Sequence, residues 1–194
     1  PTWRRIKRRM PGNPSNYGML QLTEENQWAW RVTLEAARAL EAPVVVLQTP
    51  PSFGYSEENA ERAEEFLSWA VSEAAGITVA WEPRGTWSQH REELERLLCR
   101  LGVVHVVDPL RREPVVCPGQ RILYMRLHGL GGREVNYRYK YTDEDLARLA
   151  SIVGELLSRH PDVEVAYVMF NNVYMADDAA RFIEAARGQG LSAC

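Results

Sequence analysis

Ile122-Leu123-Tyr124-Met125-Arg126-Leu127-His128-Gly129 is an apolar run that turns polar at its end. Val44-Val45-Val46-Leu47 likewise runs into Gln48, and Ile77–Trp81 into Glu82 and then Arg84. Val103–Val107 runs into Asp108, and Val165–Phe170 into Asn171-Asn172. Helical patterns precede the first run and follow four of the five. Repeated strand, polar end and helix is the pattern of a parallel α/β sheet. In such sheets the ligand site lies at the carboxyl ends of the strands.

Side chains alternate across a strand. Arg126 and His128 therefore share a face with Tyr124, and Leu123, Met125 and Leu127 lie on the other. By the same parity Glu82 shares a face with Ala80 and Thr78. The polar end belongs to the less apolar face each time. That fits a barrel interior whose mouth carries functional groups, with the apolar face under helices. His105 has the opposite parity to Asp108 and is expected to be a satisfied structural histidine facing a helix.

Outward from the strands, Thr23 caps a helix running to about Leu40, and a second helix spans about Glu57–Ala74. Ser88 is expected to cap the third, whose stripe is Leu94, Leu97, Leu98 and Leu101. Residues 110–120 read as a loop. Thr142 and Asp145 form a capping-box pattern, with Asp where Glu or Gln is usual. The strands are expected at Pro43–Gln48, Ile77–Glu82, Val103–Asp108, Ile122–His128 and Val163–Phe170.

With 194 residues, 45% hydrophobic and 25% charged, the chain is long enough for one domain with a substantial core. No apolar run is long enough for a membrane span, and no charged start leads into an apolar signal segment. Both observations favour the cytoplasm and no membrane partner. Cys99, Cys117 and Cys194 have no metal-ligand spacing, and Cys99 reads as a small core residue. The net charge of −3 is uneven: Arg4, Arg5, Lys7, Arg8 and Arg9 place +5 in an irregular segment over residues 1–22, leaving −8 for the rest. A solvated terminus is the plain reading of that segment. A phosphate or nucleic-acid contact is the sharper one, and the acidic remainder argues against a broad nucleic-acid surface.

Six motifs occur in order: Gln48-Thr-Pro-Pro-Ser-Phe53, Trp81-Glu-Pro-Arg-Gly-Thr-Trp87, Asp108-Pro109, Tyr124-Met-Arg-Leu-His-Gly129, Tyr139-Lys-Tyr-Thr-Asp-Glu-Asp-Leu146 and Phe170-Asn-Asn172. Together they resemble the YecE-like family, a group of TIM-barrel proteins of unknown function. The resemblance covers about residues 43–185. It implies a partial TIM (β/α) barrel of five parallel strands, the fourth to eighth of the family's barrel, with the first three absent. The expectation is a single truncated barrel domain over 1–194: a fragment, a shortened product, or a chain with a misassigned start. Open sheet edges would make it poorly stable or self-associating.

The candidate catalytic residues are Glu82, His128 and Asp108. Glu82, with Arg84 two positions on, suits an acid–base group held ionised by its neighbour, or a structural ion pair. His128 suits a proton shuttle, and Arg126 a fork for a carboxylate or phosphate. Asp108 before Pro109 reads as an orienting group for His128, a cation ligand, or a turn residue. Gln48, Arg84, Trp87, Arg126, Tyr139, Asn171 and Asn172 are the candidate substrate-binding residues, Trp87 and Tyr139 by ring stacking. Only one of the two asparagines is expected to point inward. Glu82, Asp108 and His128 also have the donor types for a divalent metal. No HxH, HExxH or second carboxylate reinforces them, so no cofactor is expected. The Gly129-Leu-Gly-Gly132 loop is no Walker or dinucleotide fingerprint and reads equally as a lid. The leading expectation is an acid–base enzyme or ligand-binding barrel for a small polar or anionic molecule. A metal-dependent barrel acting on phosphodiesters, or an inactive fragment, is the alternative.

Overall fold

The computed structural model describes residues 12–132 and 134–194. The basic run Arg4–Arg9, and its proposed phosphate contact, lie outside the described residues. The elements are α1 (Glu24–Ala39), β1 (Val44–Gln48), α2 (Glu57–Glu73), β2 (Thr78–Glu82), α3 (Arg91–Leu101), β3 (Val104–Val107), β4 (Ile122–Leu127), α4 (Asp143–Arg159), β5 (Val165–Phe170) and α5 (Met175–Gly188). The strands follow one another across the sheet in the order β1-β2-β3-β4-β5, and β2–β3, β3–β4 and β4–β5 pair in parallel. A doubly wound sheet reverses its strand order partway, whereas a barrel adds each strand beside the last. The unbroken order is thus that of a partial (β/α) barrel, as the family resemblance implies.

The described chain divides into two compact units. One holds the described residues up to Val79 together with Pro83–Leu97; the other holds Ala80–Glu82 and Leu98–Cys194. In the first, Thr23 caps α1 by accepting the Asn26 N–H, and Ser56 caps α2 by accepting the Asn59 N–H. Trp30, Leu34, Phe66 and Leu67 fill its core. The Trp30 ring N–H donates to Ala70 O at 3.1 Å, tying α1 to α2. Gly85 has φ +75°, and a Cβ there would lie 2.4 Å from Pro51 O, so only glycine fits. Residues Gly85–Gln89 form a 3₁₀ turn. That turn absorbs Ser88, so α3 starts at Arg91 and Ser88 is not its cap.

In the second unit, Leu123, Met125 and Leu127 of β4 pack with Leu146, Leu149, Val153 and Leu156 of α4 and Phe182 of α5. Burial of each such side chain contributes about 1.5–3 kcal/mol. The expected capping box is present: Asp145 N–H donates to Thr142 Oγ1 at 3.1 Å, and Thr142 N–H to Asp145 Oδ2 at 2.9 Å. His105 is buried, and its Nδ1 accepts the Val115 N–H at 3.0 Å. It is the satisfied structural histidine its parity predicts. Cys99 corrects the sequence reading, because it is bonded to Cys117 as a disulfide and is not a lone core thiol. The spacing held no sign of this, since the partner lies in the 110–120 loop, whose path no periodicity reveals. Disulfides persist mainly in oxidising compartments and in intracellular proteins of hyperthermophiles. No helix among the described residues is long and apolar enough to cross a membrane.

Candidate active site at the strand ends

Four strand ends of the second unit supply the site. Glu82 ends β2, Asp108 follows β3, Arg126 and His128 come from β4 and the residue just past it, and Asn171 follows β5. Glu82, Asp108 and His128 are all buried. Glu82 and His128 lie two strands apart, and their approach puts polar groups from separate segments into one contact.

Glu82 is the centre. Its Oε2 accepts from Arg126 Nη1, and its Oε1 lies 3.1 Å from His128 Nε2. A buried carboxylate is costly unless paired and hydrogen-bonded, and here both oxygens are engaged. The sequence pairs Glu82 with Arg84. In its own unit Glu82 contacts Arg126 and His128 from the β4 segment, and Arg84 belongs to the other unit. The other ring nitrogen of His128, Nδ1, is 3.1 Å from Asn171 Nδ2. Tyr137 meets the His128 ring edge-on at 6.3 Å.

Asp108 sits beside this group. Its Oδ1 accepts the Leu110 N–H at 3.0 Å, the turn contact expected before proline, and Arg111 Nε lies 3.6 Å from Oδ2. Burial pushes its carboxyl above the ordinary aspartate value. The Leu110 amide, the Arg111 charge, and the backbone amide and ring of His128 pull the other way. Among the described residues Oδ2 has no hydrogen-bond partner.

The loop after β4 is held at several points. Arg111 Nη2 donates to Gly129 O at 2.5 Å, the Gly129 N–H donates to Tyr141 Oη at 2.8 Å, and the Asn136 N–H donates to His128 O at 2.7 Å. Gly129 has φ +81°, and a Cβ there would sit 2.1 Å from Asn136 O. Glycine is therefore required for this close return of the chain over His128. These contacts tie Gly129 and Asn136 back to Arg111, Tyr141 and His128.

The two asparagines diverge, as alternation requires. Asn171 goes to His128, and buried Asn172 donates to Tyr139 O at 2.7 Å and to Asp178 Oδ2 at 2.6 Å. Tyr139 donates its hydroxyl to Asp145 at 2.6 Å, and that bond pushes its pKa up to about 12. Its ring meets Tyr141 edge-on at 5.2 Å. Trp87, in the first unit, is fully buried and donates its ring N–H to Phe53 O at 2.8 Å. Gln48 and Arg84 also belong to the first unit. Of the ten candidates, the second unit thus brings Glu82, Asp108, Arg126, His128 and Asn171 together. Asn172 and Tyr139 join a separate network with Asp178. Among the described residues no group of three or more His, Cys, Asp or Glu is arranged to hold a metal ion.

Three contributors escaped the sequence reading. Arg111 lies in the 110–120 loop, Tyr141 follows the Gly-rich loop, and Asp178 lies in the first turn of α5. Asp178 is fully buried and accepts from Asn172 and from Arg181 Nη1 at 3.2 Å. Tyr167 was also missed as a neighbour of the site. The β4–β5 register sets it opposite Tyr124, with ring centroids 5.5 Å apart, one row below Arg126 and Met169.

The family model "Protein of unknown function DUF72" matches residues 13–191. The match accords with the resemblance to YecE-like proteins without singling that group out. No curated protein matches the chain. A DUF72 family protein from Enterococcus faecalis V583 shares 18% identity with a TM-score of 0.67, over 95% of this chain and 71% of its own. A DUF72 family protein from Thermotoga maritima MSB8 shares 24% identity with a TM-score of 0.62, over 83% of this chain and 64% of its own. At these identities the likeness concerns the fold. On the match over residues 13–191, the chain belongs to the DUF72 family.

Proposed function

We propose that this chain carries the acid–base site of a barrel that binds a small polar or anionic molecule at the carboxyl ends of its strands. The observation that supports this most is the buried Glu82 carboxylate held between Arg126 and His128. A carboxylate that grips one imidazole nitrogen orients the ring and stabilises the imidazolium formed when the other nitrogen takes a proton. Arg126 keeps 23% of its side chain exposed, and a guanidinium is a group suited to a carboxylate or phosphate. His128 moves the proton, Glu82 holds the ring, and Arg126 anchors Glu82 and faces the ligand.

The test is a binding screen with inorganic phosphate, small organic phosphates and short hydroxycarboxylates, followed by heteronuclear NMR. The wild-type protein should bind a member of the panel, and Arg126→Ala and His128→Ala should each abolish that binding with the far-UV spectrum retained. Unchanged binding in both variants contradicts the reading.

A further inference from the structure

Asn171 occupies the ring nitrogen of His128 that Glu82 does not take. The contact chain runs Glu82 Oε1, His128 Nε2, His128 Nδ1, Asn171 Nδ2, with 3.1 Å at each end of the ring. A neutral imidazole carries one donor and one acceptor. A carboxylate oxygen accepts, so the proton of His128 resides on Nε2 and its lone pair on Nδ1. The amide NH2 of Asn171 is a donor and matches that lone pair. Reversing either link sets donor against donor or acceptor against acceptor. The outer end of the chain is therefore a side-chain N–H lying where a ligand's own donor would lie.

We propose that Asn171 is a positioning residue that holds His128 in its Nε2–H form and keeps Nδ1 as the proton-accepting atom until a hydroxyl-bearing ligand displaces it. The proposal rests on the acid–base reading of the same site and goes beyond it by naming the atom and the ligand's reacting group. In the step, the ligand O–H bond breaks and its proton forms a bond to Nδ1. The electron pair stays on the ligand oxygen, and the imidazolium keeps its Nε2–H on Glu82. An ionised carboxylate or phosphate has no proton to offer Nδ1 and meets its lone pair unfavourably. The ligand group at Nδ1 is thus a neutral hydroxyl, and any anionic group of the same molecule belongs nearer Arg126.

The test uses protein labelled with ¹⁵N at histidine and long-range ¹H–¹⁵N correlation, which separates protonated from unprotonated ring nitrogens. Wild-type His128 should show an unprotonated Nδ1 and a protonated Nε2. Asn171→Asp, which offers an acceptor in place of a donor, should move a proton onto Nδ1. Asn171→Ala should leave Nε2 protonated and raise the rate at which diethyl pyrocarbonate modifies His128 by about fivefold, the equilibrium factor of one ordinary hydrogen bond. A protonated Nδ1 in the wild type, or an unchanged tautomer in Asn171→Asp, overturns the proposal. If either variant fails to fold, the wild-type spectrum alone decides. A failed ligand screen with the stated tautomer refutes the acid–base reading and leaves the role of Asn171 in setting the tautomer. The reverse tautomer with intact binding does the opposite.

Discussion

His128 Nε2 lies 3.1 Å from Glu82 Oε1, across 46 positions of sequence. The strand between them, β3, contributes neither atom, so the contact reports the arrangement of β2 and β4 about it. Glu82→Ala leaves Arg126 and His128 facing a void where their shared acceptor stood. Losing one partner of a buried charge pair costs about 3–5 kcal/mol. Denaturant unfolding monitored by far-UV circular dichroism should show a loss of that size, and a loss under about 1 kcal/mol would mean the carboxylate is solvated.

Asp108 should behave in the opposite sense. Its pKa is raised by burial, so the folded state holds its proton more tightly than the unfolded chain. Stability contributed by this group is present at low pH and declines as pH rises from the unfolded value toward the higher folded one. Asp108→Asn keeps an oxygen for the Leu110 N–H and removes the buried charge. At neutral pH it should change stability by no more than about 1 kcal/mol, in either direction, and flatten that acid-range decline. A loss above about 3 kcal/mol in urea titration would show that Arg111 depends on the charge.

Tyr139 and Asp145 share a proton-dependent contact. The tyrosine is raised to about 12 by its bond to Asp145, and Asp145 is lowered despite its burial, by the Tyr139 hydroxyl and by the backbone and side chain of Thr142. The tyrosine contribution should persist below about pH 10 and vanish as pH climbs through the folded value. The carboxylate contribution should be present above the unfolded aspartate value and fade as pH falls through the folded one. Spectrophotometric titration of tyrosinate should lose a step near pH 12 in Tyr139→Phe. A wild-type titration with that step already absent would contradict the contact.

The disulfide between Cys99 and Cys117 closes a loop of separation 18. A cross-link of that size stabilises by about 3 kcal/mol in the chain-entropy picture. Thiol titration of unfolded protein should find one free cysteine, Cys194, before reduction and all three afterwards. Cys117→Ala should lower the denaturation midpoint in non-reducing buffer and leave it unchanged relative to wild type under reductant. Three free thiols without reductant would remove the bond from the account.

Much of this was legible because period-two alternation is a local signal. Tyr124, Arg126 and His128 lie on one side of the β4 segment because consecutive side chains point oppositely, and the Thr142 cap is set within one turn. The partners were less legible. Sequence offers Glu82 its near neighbour Arg84, while its contacts to Arg126 and His128 depend on how β2, β3 and β4 lie side by side. Arg111, Cys117 and Tyr141 come from loops, where no periodicity constrains direction. Asp178 lies in the first turn of α5, and its burial depends on where α5 meets Asn172. Stacking is expected of Trp87 and Tyr139 from residue type, whereas their hydrogen bonds to Phe53 O and Asp145 depend on tertiary contacts that residue type does not reveal.

Convergence of the β2 and β4 ends on one carboxylate is best tested by a double-mutant cycle on Glu82→Gln and His128→Phe, read by urea unfolding at neutral pH. The account predicts that the two changes are coupled by about 1.5–3 kcal/mol, the worth of a hydrogen bond to a charged group. Additivity to within about 0.5 kcal/mol would show that the two residues do not touch and would contradict it.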